Sequence, residues 1–140
     1  MANELLLLDT HCWLWAQLGM VQHLSRGAQS ALKRAETAGQ LRVSVISVWE
    51  VGMLEKRGRI GLPMNIRTWV GEALSKPGVS LAPLTPEIAL ESIDLPGELH
   101  GDPADRILVA TARVLGATLL TKDKRLLEYS RFRHVRTLAA

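Results

Sequence analysis

Four consecutive leucines, Leu5 to Leu8, halted by Asp9, constrain this chain more than any other stretch. A strand with one wet face alternates apolar and polar residues. An unbroken apolar run has to be covered on both faces, which is the condition of a strand inside a parallel sheet. The rest of the chain supplies the covers. Thr10 to Leu18 reads as a helix ended by Gly19, and Arg26 to Ala38 as a second helix stopped by Gly39. Leu41 to Ile46, rich in β-branched residues, reads as a strand, and Ser47 to Lys56 as a helix ending at Gly58. Asn65 to Lys76 is a helix between Pro63 and the Pro77-Gly78 breaker, Val79 to Leu84 a third strand, and Thr85-Pro86-Glu87 opens a helix through Ile93.

After the turn-rich Leu95-Pro96-Gly97, Asp102 and Pro103 open an apolar-periodic helix that Gly116 closes. Ala117 to Leu120 is then a strand, Lys124 to Tyr129 a short helix, and His134 to Leu138 a last strand. Strands alternating with helices predict a three-layer α/β/α fold around a mainly parallel sheet of four or five strands, as one domain over residues 1–140. A chain of 140 residues buries enough surface to fold without staples. Its one cysteine, Cys12, excludes an internal disulfide and sits in an apolar run, so it reads as a small core residue in a reducing compartment. The leucine run is too short for a membrane span and lacks a basic region before it, which predicts a cytoplasmic protein with no membrane partner. A net charge of +3 and a pI near 9.4 permit a polyanionic partner without requiring one.

In parallel α/β sheets ligands gather at the carboxyl ends of the strands. Asp9 ends the first strand, Glu50 lies in the helix after the second, Asp105 lies at the start of the helix before Ala117 to Leu120, and Asp123 follows that strand. Each acid also has a local explanation. Asp9 can cap the helix from Thr10, Ser47-Val-Trp-Glu50 has the form of a capping box, Asp105 stands three residues after the cap Asp102, and Asp123 can cap Lys124 to Tyr129. Capping accounts for each acid singly and not for four of them at one edge. Clustered carboxylates repel, and a hard divalent cation such as Mg²⁺ or Mn²⁺ relieves the repulsion with oxygen ligands. Such an ion also suits phosphodiester hydrolysis, so an acidic site in a mildly basic protein points to a nuclease.

Three stretches, LLLLDTHCWLW, SVISVWEVGMLEKRGRI and HGDPADRILVATARVLGATLLTKDKRL, resemble in order the PIN-domain family, and closely its VapC-type toxins from type II toxin–antitoxin pairs. The resemblance spans nearly the whole chain. It implies a Mg²⁺- or Mn²⁺-dependent endoribonuclease, usually a homodimer, neutralised by an antitoxin protein. By motif it makes Asp9, Glu50, Asp105 and Asp123 the catalytic, metal-binding acids, with Asp9 and Asp105 as direct ligands and Glu50 and Asp123 acting through water. Thr121 would orient Asp123 or the metal water. The implied chemistry is hydrolysis of RNA by metal-activated water, leaving a 5′-phosphate and a 3′-hydroxyl.

Other residues invite roles. Lys122, Lys124 and Arg125 flank Asp123 and are placed for phosphates, whereas Lys56, Arg57 and Arg59 form a basic turn further off. His11 lacks partners at zinc-ligand spacing, and His100 reads as a solvated loop residue. Trp13, Trp15, Trp49 and Trp69 have the chemistry to stack on bases, but their apolar neighbours favour core or interface packing. Helix surface near Trp13, Trp15 and Trp49 is then the expected dimer or antitoxin contact. A phosphatase of the haloacid-dehalogenase type is excluded because it needs a second Asp where His11 stands. A catalytically silent binding module is the remaining alternative.

Overall fold

A computed structural model describes residues 4–140. Five strands, β1 (Leu6–Leu8), β2 (Leu41–Ser44), β3 (Val79–Ala82), β4 (Thr118–Thr121) and β5 (Arg136–Ala139), form one sheet in the order β3-β2-β1-β4-β5. Every neighbouring pair is parallel. The leucine run is thus the central strand, with Leu6 to Leu8 opposite Leu41 to Val43 on one side and Thr118 to Leu120 on the other.

Alternate leucines serve opposite layers. Leu6 and Leu8 join Val43 and Leu120 in a core capped by α1 (Thr10–Gln17), α2 (Arg26–Ala38), α3 (Val45–Lys56) and α4 (Ile66–Ser75). Leu7 joins Leu119 in a second core under α5 (Pro86–Ile93), α6 (Pro103–Leu115) and α7 (Lys124–Ser130). The sheet is therefore the middle of three layers, as its sequence predicts. Leu7 and Leu119 have no exposed surface, and truncating such a leucine to alanine costs about 2–5 kcal/mol.

Local chemistry sets most element ends. Ser25, Asn65, Thr85 and Asp102 each accept a backbone N–H at a helix start, and Gly116 closes α6 with a left-handed φ of 66°. Gly78 is required sterically: a Cβ there would lie 2.1 Å from the Glu36 carbonyl oxygen, where the end of α2 meets the entry to β3.

Three boundaries depart from the expected ones by two residues. The second strand ends at Ser44 and not at Ile46, because the Ser44 hydroxyl accepts from the Ile46 N–H at 3.0 Å and starts α3 two residues early. Capping there overrides the β-branched preference of Val45 and Ile46. Strand β3 stops at Ala82, the partner of Ser44, because β2 offers no further ladder. The last strand starts at Arg136, after Arg133 turns with a φ of 65° and His134 packs its ring against Tyr129 at 5.3 Å. A 3₁₀ turn at Val21–His23 was not foreseen by the helical patterns on either side. Among the described residues no helix is long and apolar enough to cross a membrane.

Candidate active site

The fold brings α1, α3, α6 and α7 to the same edge of the sheet, because each begins where a parallel strand ends or runs antiparallel to the strand that follows it. A cleft of about 490 Å³ opens there, and Asp9, Glu50, Asp105 and Asp123 all line it. Residues 9 to 123 thus contribute four carboxylates to one space, as their positions at the strand ends imply.

Each acid is held differently. Asp9 caps α1: one carboxylate oxygen accepts from the Thr10 N–H at 2.6 Å, and the other accepts from the fully buried Thr121 hydroxyl at 2.5 Å. Thr121 Oγ1 also accepts from the Asp123 N–H at 3.0 Å. It therefore fixes the Asp9 side chain and the Asp123 backbone together, beyond the support for Asp123 alone that the sequence suggests.

Asp123 caps α7, with Oδ1 accepting from the N–H groups of Arg125 and Leu126 at 2.8 and 3.3 Å. Its other oxygen lies 3.6 Å from the Arg125 guanidinium.

Glu50 has no capping role. Because α3 starts at Val45, Ser47 is inside the helix and fully buried, and the capping-box reading of Ser47 to Glu50 is overturned. Ser47 Oγ instead lies 2.9 Å from Thr10 Oγ1, and the Thr10 hydroxyl donates to Glu50 Oε1. Thr10 and Ser47 are supporting residues that sequence reasoning missed. The signal available was two hydroxyls flanking the acids in Asp9-Thr10 and Ser47-x-x-Glu50.

Asp105 also makes no capping bond. Its Oδ2 lies 2.7 Å from His100 Nε2, and both side chains are largely buried, 11% and 17% exposed. The reading of His100 as a solvated loop residue is therefore corrected: the turn before α6 folds it back under the helix start. Asp102 does cap α6, as expected, accepting from the Ala104 N–H at 3.0 Å.

The electrostatics are uniform across three of the acids. Burial pushes the carboxyls of Asp9, Glu50 and Asp105 above their ordinary range. The hydrogen bonds from Thr121, Thr10 and His100 respectively work against that rise, and neighbouring aspartates add to it: Asp123 at Asp9; Asp9, Asp105 and Asp102 at Glu50; Asp102, Asp9 and Asp123 at Asp105. A cation would reverse each effect. The donors facing the cleft are carboxylate oxygens, the set that hard cations such as Mg²⁺ and Mn²⁺ select, so the residues fit such an ion. His100, Asp102 and Asp105 also place one donor atom each within 4.8 Å of one another, although His100 Nε2 is already committed to Asp105.

The walls mix aromatic and basic groups. Trp15, Trp49, His11, Arg57, Lys122 and Arg125 line the cleft. The Lys122 ammonium sits 5.2 Å from the centre of the Trp15 ring, which stacks on His23. Lys124 does not line it and faces a neighbouring groove beside His100. Arg57 does line it, although it belongs to the basic turn that seemed less well placed. Trp13 and Trp69 are core residues, each 2% exposed and packed ring on ring at 5.0 Å, so Trp13 offers no contact surface. Trp49 is 59% exposed and is not core. Cys12 is a buried thiol, pushed up to about 12 by burial and by Asp9, which makes it inert.

Five parallel strands with carboxylates from two helix caps and two helices around one cleft define a class, the three-layer α/β domains with an acid-lined carboxyl edge. The family model of the PIN domain matches residues 6–132, and the chain belongs to the PIN-domain family. It is 36% identical over 120 residues, 86% of this chain and 88% of the relative, to Ribonuclease VapC22 of Mycobacterium tuberculosis. Its fold resembles that of DNA-bound VapBC from Salmonella typhimurium, with a TM-score of 0.65 and 14% identity over 97% of this chain and 98% of that one. DNA-bound VapBC2 from Rickettsia felis gives a TM-score of 0.64 and 14% identity over 96% and 98% of the two chains. A toxin–antitoxin complex from Klebsiella pneumoniae gives 0.56 and 24% identity over 86% and 88%.

Proposed function

We propose that this chain, as one PIN-like domain over residues 1–140, is a Mg²⁺- or Mn²⁺-dependent endoribonuclease. It acts in the cytoplasm as the toxin of a type II toxin–antitoxin pair, as a homodimer held in check by a cognate antitoxin protein. The observation that carries the proposal is the convergence of Asp9, Glu50, Asp105 and Asp123 on one cleft. Three of these acids are driven toward protonation by burial and by one another. The similarity to Ribonuclease VapC22 supports the choice of RNA, and the fold shared with VapBC complexes supports an antitoxin partner.

In this reading Asp9 and Asp105 would hold the cation directly, while Glu50 and Asp123 would act through water. When bound, such an ion would supply a lowered pKa for a water and charge neutralisation at a phosphate. Glu50, kept ionised by the Thr10 hydroxyl and made a stronger base by burial, is suited to accept a proton from an attacking water. Thr121 keeps Asp9 in place. Lys122, Arg125 and Arg57, which line the cleft, are available to flanking phosphates, and hydrolysis leaves a 5′-phosphate and a 3′-hydroxyl.

The test is cleavage of a mixed structured-RNA pool by purified protein with Mg²⁺, with Mn²⁺ and with EDTA, alongside Asp9→Asn. Cleavage that requires both metal and Asp9 is expected. Folded protein that binds neither metal and cleaves nothing would return the chain to the alternative of a silent binding module.

A further inference from the structure

The cleft leaves one residue pair without a function. His100 is largely buried and does not line the cleft; it stands behind Asp105 and borders the next groove. Among the described residues the one polar contact of its ring is Nε2 to Asp105 Oδ2 at 2.7 Å, because Nδ1 is buried with no partner among them. With Asp105 ionised, as a cation ligand has to be, its oxygen has no hydrogen to give, so Nε2 carries the proton and donates it. The molecule thus tolerates an unsatisfied ring nitrogen in exchange for a bond to one oxygen of one acid. An apolar side chain would fill this place without an orphaned ring nitrogen, but it would leave Asp105 Oδ2 without its donor.

The segment that delivers His100 is itself pinned. Arg106, the residue after Asp105, reaches back with three bonds to backbone carbonyls: Nε to Ser92 at 2.9 Å, and its terminal nitrogens to Leu99 at 3.1 Å and Ile93 at 3.3 Å. The Tyr129 hydroxyl holds the Pro96 carbonyl at 2.5 Å. The loop between α5 and α6 is thereby tied at both ends and its middle, and His100 meets Asp105 across it. Arg106 makes no acid contact of its own; it fixes the backbone that presents the imidazole.

We infer that His100 is a positioning residue for the cation site: by donating Nε2–H to Asp105 Oδ2 it locks the carboxylate so that Oδ1 is presented to the cleft. Groups behind a metal-binding carboxylate set its orientation, and losing one costs about 10–100-fold in metal affinity or activity. Asp9 has a hydroxyl, Thr121, in the corresponding place on Oδ2 and the Thr10 N–H on Oδ1, whereas Asp105 is held through Oδ2 alone. Glu50 is clamped by Thr10, also through one oxygen.

This inference rests on the metal-dependent reading, and its test has a readout apart from turnover. Mn²⁺ binding by titration calorimetry and RNA cleavage are measured on wild type, His100→Ala, His100→Phe and His100→Gln. Phenylalanine fills the space without a donor. The glutamine amide reaches about as far as Nε2 and keeps a donor while removing the ring. His100→Ala and His100→Phe should bind Mn²⁺ about 10–100-fold more weakly and lose kcat in proportion, with KM for RNA unchanged. His100→Gln should recover most of both. Wild-type binding with full affinity in the alanine and phenylalanine variants would overturn the inference and leave the nuclease reading intact, as would equal loss in His100→Gln. Wild-type protein that binds no Mn²⁺ would overturn both.

Discussion

The two edges of the sheet treat acidic residues in opposite ways. At the amino edge two acids meet cations, Glu91 with Arg113 at 2.6 Å and Glu36 with Lys76 at 3.0 Å, while Glu4 accepts from the Thr118 hydroxyl at 3.0 Å. At the carboxyl edge Asp9 and Glu50 meet threonine hydroxyls, Asp105 meets an imidazole, and only Asp123 has a guanidinium near, at 3.6 Å. Hydroxyls orient a carboxylate without cancelling its charge. The first edge is largely closed electrostatically, whereas the second keeps its charge uncancelled, as the proposed cation site requires.

The hardest way to break this contrast is to neutralise the open edge. Asp9→Asn and Asp105→Asn should each lower RNA cleavage by about a hundredfold or more, since loss of several kcal/mol of charge stabilisation translates tenfold per 1.36 kcal/mol. Single-turnover cleavage at saturating Mg²⁺ measures it, and turnover within a few-fold of wild type would remove these acids from the mechanism.

Next in size is the response to metal. Saturating Mg²⁺ or Mn²⁺ should stabilise wild type by about 2.7 kcal/mol at a hundred times its dissociation constant. For a chain of this length that is a melting rise of about 5–10 °C. Asp105→Asn should lose most of the rise, and equal rises in thermal melts of both proteins would refute a cation at this edge.

Without metal, pH should act on the open edge in a definite direction. Asp9, Glu50 and Asp105 have folded pKa values raised above their ordinary 3.8, 4.5 and 3.8. Between those values and the raised ones, the native state binds more protons than the unfolded chain, so these groups make stability fall as pH rises through that window. Urea unfolding of metal-free protein across that window should show this slope flattened in Asp9→Asn, and an unchanged slope would contradict the desolvation of Asp9.

The smallest effect is expected from the closed edge. Glu91→Gln should cost about 1 kcal/mol or less in chemical denaturation and leave cleavage untouched, because a partly exposed pair contributes little. A large loss of cleavage would show that the two edges are coupled.

How much of this was legible in the sequence varies with what each residue depends on. The unbroken leucine run declared a two-sided strand, and Asp102-Pro103 with Gly116 fixed both ends of α6, because strand burial and caps are local. The family motifs located the four acids. The supports were harder to read. Ser47 lies 2.9 Å from a hydroxyl 37 positions away, and no local rule distinguishes that from a cap. His100 looked like a loop residue because its burial comes from a turn held by Arg106, whose three carbonyl partners are visible only once α5 and α6 are packed. Trp49 and Trp13 looked alike for the same reason: one faces the cleft and the other Trp69, and that difference is made by tertiary packing.

The hydrogen bond from Thr121 to Asp9 spans 112 positions, and β1 cannot close its ladder until β4 exists. Such distant pairings are slow to form, because the intervening loop entropy is lost before the contact rewards it. Asp9 is made 112 positions before Thr121 and can reach its working place only after it. The cleft therefore has a built-in delay: a growing chain that has not yet made Thr118 to Thr121 carries the acids but no assembled site, and harm to nearby RNA begins only after the fold is nearly complete.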